Sequence, residues 1–237
     1  MEEQHQPRQA QRIQTSFLGA AERRALVWLA SRQPQWVTSD MLTVVGTLGA
    51  LLVGLGFMLT NFGIQWLWLS VVGLAVNWYG DSLDGTLARV RDTQRPLYGY
   101  YLDHTVDCIN EALMFVGAGL SPLMHLDLAL LVYILYLLMT INVSINAHLK
   151  SEFRLTYAKL GPTEFRILVA IGCILVIAFP SVATFEMSLT MMGKVETFTS
   201  LDLLALLITA ALSAMYVSVI VGDARKYARV DPPKKRR

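Results

Sequence analysis

NWYGDSLDGTLARVRDTQRPLYGYYLDHTVDCINE, residues 77–111, lies between two long apolar runs and carries Asp81, Asp84, Asp103, Asp107 and Glu111. An acid placed inside a membrane-spanning helix costs about 2.5–3.5 kcal/mol on insertion scales. Five of them in or beside such helices carry a cost that packing alone does not explain. Their spacing is helical: Asp81 and Asp84 are three residues apart, and Asp103 and Asp107 four apart, so each pair shares a face. Two facing helices would present four carboxylates to one cavity.

The rest of the chain sets that stretch in a membrane. Of 237 residues 54% are hydrophobic and 16% charged, against about 45–50% and 25% in soluble domains. A spanning helix needs about 20 mostly apolar residues. Six stretches qualify, at roughly 42–60, 62–82, 100–120, 125–147, 163–184 and 201–222. The basic residues orient them. Nineteen of the 20 fall on one face, from Arg8, Arg12, Arg23, Arg24 and Arg32 before the first span to the seven from Arg225 onward after the last, and only Lys194 falls on the other. The positive-inside rule makes that face cytoplasmic and both termini internal. The expected fold is therefore an all-α integral membrane protein, a six-transmembrane-helix bundle.

The flanks are polar. The first 40 residues show no signal-peptide pattern and form a cytoplasmic leader. Its segment 16–32 is amphipathic, with Phe17, Leu18, Ala21, Leu26 and Trp28 interleaved with Glu22, Arg23 and Arg24. A juxtamembrane helix there either lies on the inner membrane surface or packs on the bundle. Residues 41–224 form the membrane domain and 225–237 a basic cytoplasmic tail, whose PPKKRR end sets topology or touches anionic lipid. No internal repeat or second domain is visible. Cys108 and Cys173 sit in apolar runs with no disulfide or metal spacing. A net charge of +2 gives no case for nucleic acid.

Four clustered carboxylates repel one another unless cations neutralise them. Hard oxygen ligands at that density suit Mg²⁺, Mn²⁺ or Ca²⁺, and Mg²⁺ commonly accompanies a phosphate-bearing substrate. Gly85 and Gly99 have no side chain to block a ligand. Arg89 offers a planar fork of donors suited to phosphate.

These residues resemble the signature of the CDP-alcohol phosphotransferases, D-x2-D-G-x2-A-R followed by G-x3-D-x3-D. The chain has Asp81, Asp84, Gly85, Ala88 and Arg89, then nine residues, then Gly99, Asp103 and Asp107, matching all eight positions. The resemblance implies a phospholipid-synthesis enzyme that moves a phospho-alcohol from a CDP-linked donor to an acceptor hydroxyl and releases CMP. It implies that Asp81, Asp84, Asp103 and Asp107 hold divalent metal, Mg²⁺ or Mn²⁺, as two ions. Gly85, Ala88, Arg89 and Gly99 would line the CDP site, and Asp107 would be the general base. A homodimer is a possible assembly.

Two branches of the family differ in which half of the product carries the CDP. Asp103-His104 in YLDHTVD and Gly161-Pro162-Thr163-Glu164 resemble segments of the choline and ethanolamine enzymes, in which a His and a Glu act on a lipid alcohol. That resemblance makes His104 and Glu164 catalytic candidates and diacylglycerol the expected acceptor. The alternative is a CDP-diacylglycerol donor with a small polar acceptor, in which Lys150, Arg154 or Arg166 binds an anionic group. The simpler reading of those cations is topology; of His104, a hydrogen bond to a carboxylate; of Glu164, a first-turn acid favoured by the helix dipole or a pair with Lys159; and of Asn77, helix packing. Glu111 is a candidate acceptor contact. A cation transporter or channel is the competing class, disfavoured because the acids are confined to one helix pair at one membrane face.

Overall fold

The computed structural model describes residues 11–13, 18–150, 152–154, 162–191 and 194–233. Gly161, Lys159 and the Lys234–Arg237 end of the basic tail lie outside them. In chain order the helices are α1 (Gly19–Ser31), α2 (Ser39–Leu59), α3 (Leu67–Val90), α4 (Pro96–Gly119), α5 (Leu126–Lys150), α6 (Pro162–Ala178), the single turn α7 (Pro180–Ala183) and α8 (Ser200–Val230). Two small sheets accompany them. β1 (Gln11–Ile13) pairs in parallel with β2 (Glu152–Arg154), and β3 (Glu186–Met191) pairs antiparallel with β4 (Lys194–Thr199), Glu186 opposite Thr199.

Each of the six expected spans overlaps a helix, with different bounds. Three segments, Ser39–Phe62, Leu126–Asn146 and Ser200–Val230, are long and apolar enough to cross a membrane by length and composition. The other three fall short for local reasons. Helices α3 and α4 carry the acids, and α6 has 17 residues. The fifth span, expected to reach residue 184, stops at Ala178 because Pro180 disfavours helix at the residue before it. The sixth runs on to Val230, eight residues past its expected end at 222. In the apolar 18-residue stretch of α8 only 6% is buried inside the protein, so the helix leaves an apolar surface uncovered. Such a surface is at home in lipid, not water.

The tightest packing is between α2 and α3, and glycine makes it possible. A Cβ at Gly49 would strike the backbone of Asn77, and one at Gly80 the backbone of Gly46. Small residues let helices approach backbone to backbone where burial in lipid supplies no drive. The buried side chains form two groups. Val53, Phe57, Leu67, Leu74, Leu123, Cys173 and Val176 fill one half of the bundle. Leu26, Ala30, Val37, Leu42, Leu83 and Leu87 fill the other, beneath α1.

Leader helix α1 thus packs on the bundle through Leu26 and Ala30. Trp78 Nε1 donates to Glu22 at 3.0 Å, and Gln33 Nε2 donates to the Tyr79 hydroxyl at 2.7 Å. Arg91, just past α3, donates to the carbonyls of Val37, Gln33 and Pro34. The chain then reverses through Asp92 at φ 52° into Pro96, the first residue of α4. Aspartate tolerates the left-handed conformation better than most residues, and proline suits a helix start. This turn brings the acid-bearing end of α3 to that of α4, while α4 packs along α2.

Candidate metal and phosphate site

Asp81 on α3 and Asp103 and Asp107 on α4 converge. One carboxylate oxygen from each lies within 4.8 Å of the other two. A narrow cleft at that point is lined by Thr43, Asp81, Asp84, Asp103, Val106, Asp107 and Asn110. All four signature aspartates therefore face one space, as the helical spacing requires.

Asp84 differs from the other three. Its Oδ2 accepts from Thr43 Oγ1 on α2 at 2.7 Å, and its Oδ1 accepts from the Gly85 N–H at 2.5 Å. It stands in the cleft wall, outside the convergent trio. Ser39 on α2 donates to the Asp84 carbonyl at 2.9 Å. Two hydroxyls of α2 thus fix this turn of α3, and the glycine contacts hold α2 close enough to supply them.

Asp81 is held from the other side by α6. Arg166 donates through one terminal nitrogen to Asp81 Oδ2 at 2.5 Å and through Nε to Asn77 Oδ1 at 2.8 Å. Asn77, fully buried, donates in turn to the Gly46 carbonyl at 2.9 Å. A chain of hydrogen bonds therefore runs from α2 through α3 to α6 and ends at the acid cluster. Arg166 is the site residue that the sequence undervalued. Counting charges marks it as a topology determinant, whereas its place in the first turns of an apolar helix two residues after Glu164 was the available signal.

The glycines at the site behave unlike those of the α2–α3 seam. A Cβ at Gly85 would meet only the guanidinium of Arg89, at 3.5 Å, and one at Gly99 would meet nothing within 4 Å. Both leave bare backbone beside open space. Arg89 lies one turn beyond Gly85, is exposed, and donates to Thr86 Oγ1 at 2.9 Å. Ala88 is half-buried on the same turn.

His104 and Glu164 stand on different helices, α4 and α6. The His104 ring stacks on Tyr100 with centroids 4.0 Å apart, and its Nδ1 lies 3.0 Å from the Tyr100 carbonyl and 3.6 Å from Asp103 Oδ2. It is not among the residues lining the cleft. Helix α6 packs on α3. Glu164 is buried at its start and accepts from the Leu18 N–H of the leader at 3.0 Å. Its neighbour Thr163 donates to Glu22 at 2.5 Å. Glu111 is half-buried one turn beyond Asp107, and its Oε2 has no hydrogen-bond partner among the described residues.

The donor set fits a hard divalent cation. Three carboxylate oxygens converge within the span of one coordination sphere, and no sulfur or imidazole is among them. Against this geometry, the sequence model of the CDP-alcohol phosphatidyltransferases matches residues 36–223, from just before α2 to within α8. The chain belongs to the CDP-alcohol phosphatidyltransferase family. Among curated proteins it is similar to the phosphatidylinositol phosphate synthase of Cutibacterium acnes, 36% identical over 84 residues, 35% of this chain and 38% of the relative. It is also similar to the archaetidylinositol phosphate synthase of Pyrococcus horikoshii, 34% identical over 98 residues, 41% of this chain and 49% of the relative. The matched stretch thus spans less than half the length of either relative.

The opposite end of the bundle holds one more buried acid. Asp202, fully buried in the first turn of α8, accepts from the backbone N–H groups of His125 and Thr199 and lies 2.6 Å from His125 Nδ1. With Thr199 it forms a capping box. The acids are therefore not confined to one end, as the sequence reading had them. Both oxygens of Asp202 are nevertheless committed, Oδ2 to the capping box and Oδ1 to the His125 N–H.

Proposed function

We propose that the chain is an integral membrane phosphotransferase of phospholipid synthesis that uses a CDP-linked donor and releases CMP. The observation that carries this reading is the convergence of Asp81, Asp103 and Asp107, three residues of the family signature, on one point of a cleft that Asp84 also lines. In this reading α2 to α6 and α8 supply six spans, with both termini and the site at the cytoplasmic face. Residues 1–40 form the leader, 41–224 the membrane domain and 225–237 the basic tail. The four aspartates would hold two Mg²⁺ or Mn²⁺ ions, which would offset the negative charge of the donor pyrophosphate and of the departing CMP.

The chain's own residues do the rest. The acceptor hydroxyl oxygen attacks the donor phosphorus that bears the alcohol group. The bond from that phosphorus to the oxygen of CMP breaks, and CMP leaves with the electron pair. Asp107 takes the hydroxyl proton. The open backbone at Gly85 and Gly99 admits the donor, and Ala88 keeps that turn small. Arg89 offers donors to phosphate oxygens.

Of the two branches, we place the chain with those that use CDP-diacylglycerol as donor and a phosphorylated polar alcohol, such as inositol phosphate, as acceptor. Both curated relatives are named for products with an inositol phosphate head group. Arg166 supports the same choice, because its guanidinium stands beside the acid cluster, where a phosphate-bearing acceptor would need a cation. The diacylglycerol-acceptor reading rests on His104, which stacks on Tyr100, and on Glu164, which binds the leader N–H of Leu18. The test is CMP release from purified protein with Mg²⁺ or Mn²⁺, comparing CDP-diacylglycerol plus inositol phosphate with CDP-choline plus diacylglycerol. The first pair is expected to react. Release from the second pair alone would move the chain to the other branch, and release from neither would remove the enzymatic reading for these substrates.

A further inference from the structure

Asn110 lies on α4 three residues beyond Asp107, so it continues the face that carries Asp103 and Asp107. It lines the cleft with the four aspartates. The residue is 5% exposed, and its Oδ1 is buried with no hydrogen-bond partner among the described residues. A buried amide oxygen without a partner is uncommon and calls for an explanation, a bound ion among them. Two other neutral polar side chains near the acids are committed. Thr43 is bonded to Asp84, and Asn77 to Arg166 and the Gly46 carbonyl. Asn110 alone of these three side chains offers a neutral oxygen that no neighbour uses.

We propose that Asn110 Oδ1 is a further oxygen ligand of the cation held by Asp81, Asp103 and Asp107, an inference that rests on the metal-site reading above. Amide carbonyl oxygens are ordinary ligands of hard divalent cations. A neutral ligand at this point also fills the coordination sphere without adding a fourth negative charge to the trio. Asn110 approaches from one turn deeper along α4 than Asp107, on the side of the cleft away from the exposed Gly99 turn.

The test is Mn²⁺ binding to the purified full chain, followed by the electron paramagnetic resonance of free Mn²⁺, without any nucleotide or lipid substrate. Asn110→Ala should weaken Mn²⁺ binding at least threefold. Asn110→Asp, which keeps an oxygen there and adds charge, should tighten it at least threefold. An amide turned the other way would instead donate to a carboxylate, and aspartate would then repel its neighbours and gain no such tightening. A purely structural role would lower the melting temperature of Asn110→Ala without changing its Mn²⁺ affinity. The inference is overturned if the alanine variant stays within threefold of the parent, or if the aspartate variant gains less than threefold; should the alanine variant not fold, the aspartate variant decides. Asp107→Asn serves as the control. If it binds Mn²⁺ like the parent, the metal site itself is misassigned, a failure distinct from that of Asn110.

Discussion

Arg166 on α6 and Asp81 on α3 meet at 2.5 Å, with the arginine side chain 16% and the aspartate 19% exposed. The pair joins the helix expected to receive the acceptor to the helix that carries the first half of the signature. Removing one partner of such a shielded pair leaves a charge without compensation, at a cost of about 3–5 kcal/mol where burial is complete and less here. We expect Arg166→Ala to raise the KM for a phosphorylated acceptor at least tenfold while leaving the KM for the CDP donor within about twofold. Arg166→Lys should restore only part of the loss, because lysine lacks the planar fork that also holds Asn77. Steady-state kinetics with each substrate varied in turn checks both expectations.

The carboxylates are expected to differ in what they do to metal binding. Asp81→Asn, Asp103→Asn and Asp107→Asn each remove an oxygen of the convergent trio and should lower turnover by orders of magnitude and weaken metal-dependent thermal stabilisation. Chelation with EDTA should abolish turnover in the parent, and added Mg²⁺ or Mn²⁺ should restore it. Near-normal turnover in any of the three variants, in a CMP-release assay, would contradict their assignment.

Two glycines separate chemistry from packing. Gly85→Ala places a methyl group beside open space and the Arg89 guanidinium. The change should stabilise the helix by up to about 1 kcal/mol while cutting activity through the donor site. Gly49→Ala drives a methyl group into the Asn77 backbone. It should destabilise the protein by about 1–3 kcal/mol and lose activity only as the fold is lost. Thermal unfolding measured beside initial rates distinguishes the two behaviours.

Glu164 is expected to position the leader. Its carboxylate accepts from the Leu18 N–H, so Glu164→Ala leaves that donor without this partner, at a cost of about 1–3 kcal/mol if the site stays dry. Limited proteolysis should cut the chain near residue 18 faster in the variant. An unchanged cleavage rate would show that the other contacts of the leader are enough to hold it.

The acids, their spacing and the place of each long helix were legible in the sequence, because burying charge among apolar residues leaves a mark that composition cannot hide. Helical period alone put Asp81 with Asp84 and Asp103 with Asp107. Four things were not legible. The pairing of α6 with α3 depends on which faces meet, and no single-helix pattern records that choice. Arg166 looked like any basic residue near a cytoplasmic helix end until its partner across the helix pair was known. The hairpin of β3 and β4 hides in a short connection where ETFT and SLTM alternate over too few residues to stand out. The packing role of Gly46, Gly49 and Gly80 became visible only when the backbones they admit were in place.

The most direct measurement of the central claim is mass spectrometry of the lipid formed by purified protein with Mg²⁺, CDP-diacylglycerol and inositol phosphate. The expected result is a phosphatidylinositol phosphate species formed together with an equal amount of CMP, with both absent in the Asp107→Asn variant. A lipid product formed only from CDP-choline or CDP-ethanolamine and diacylglycerol, or product formation undiminished in Asp107→Asn, would contradict it.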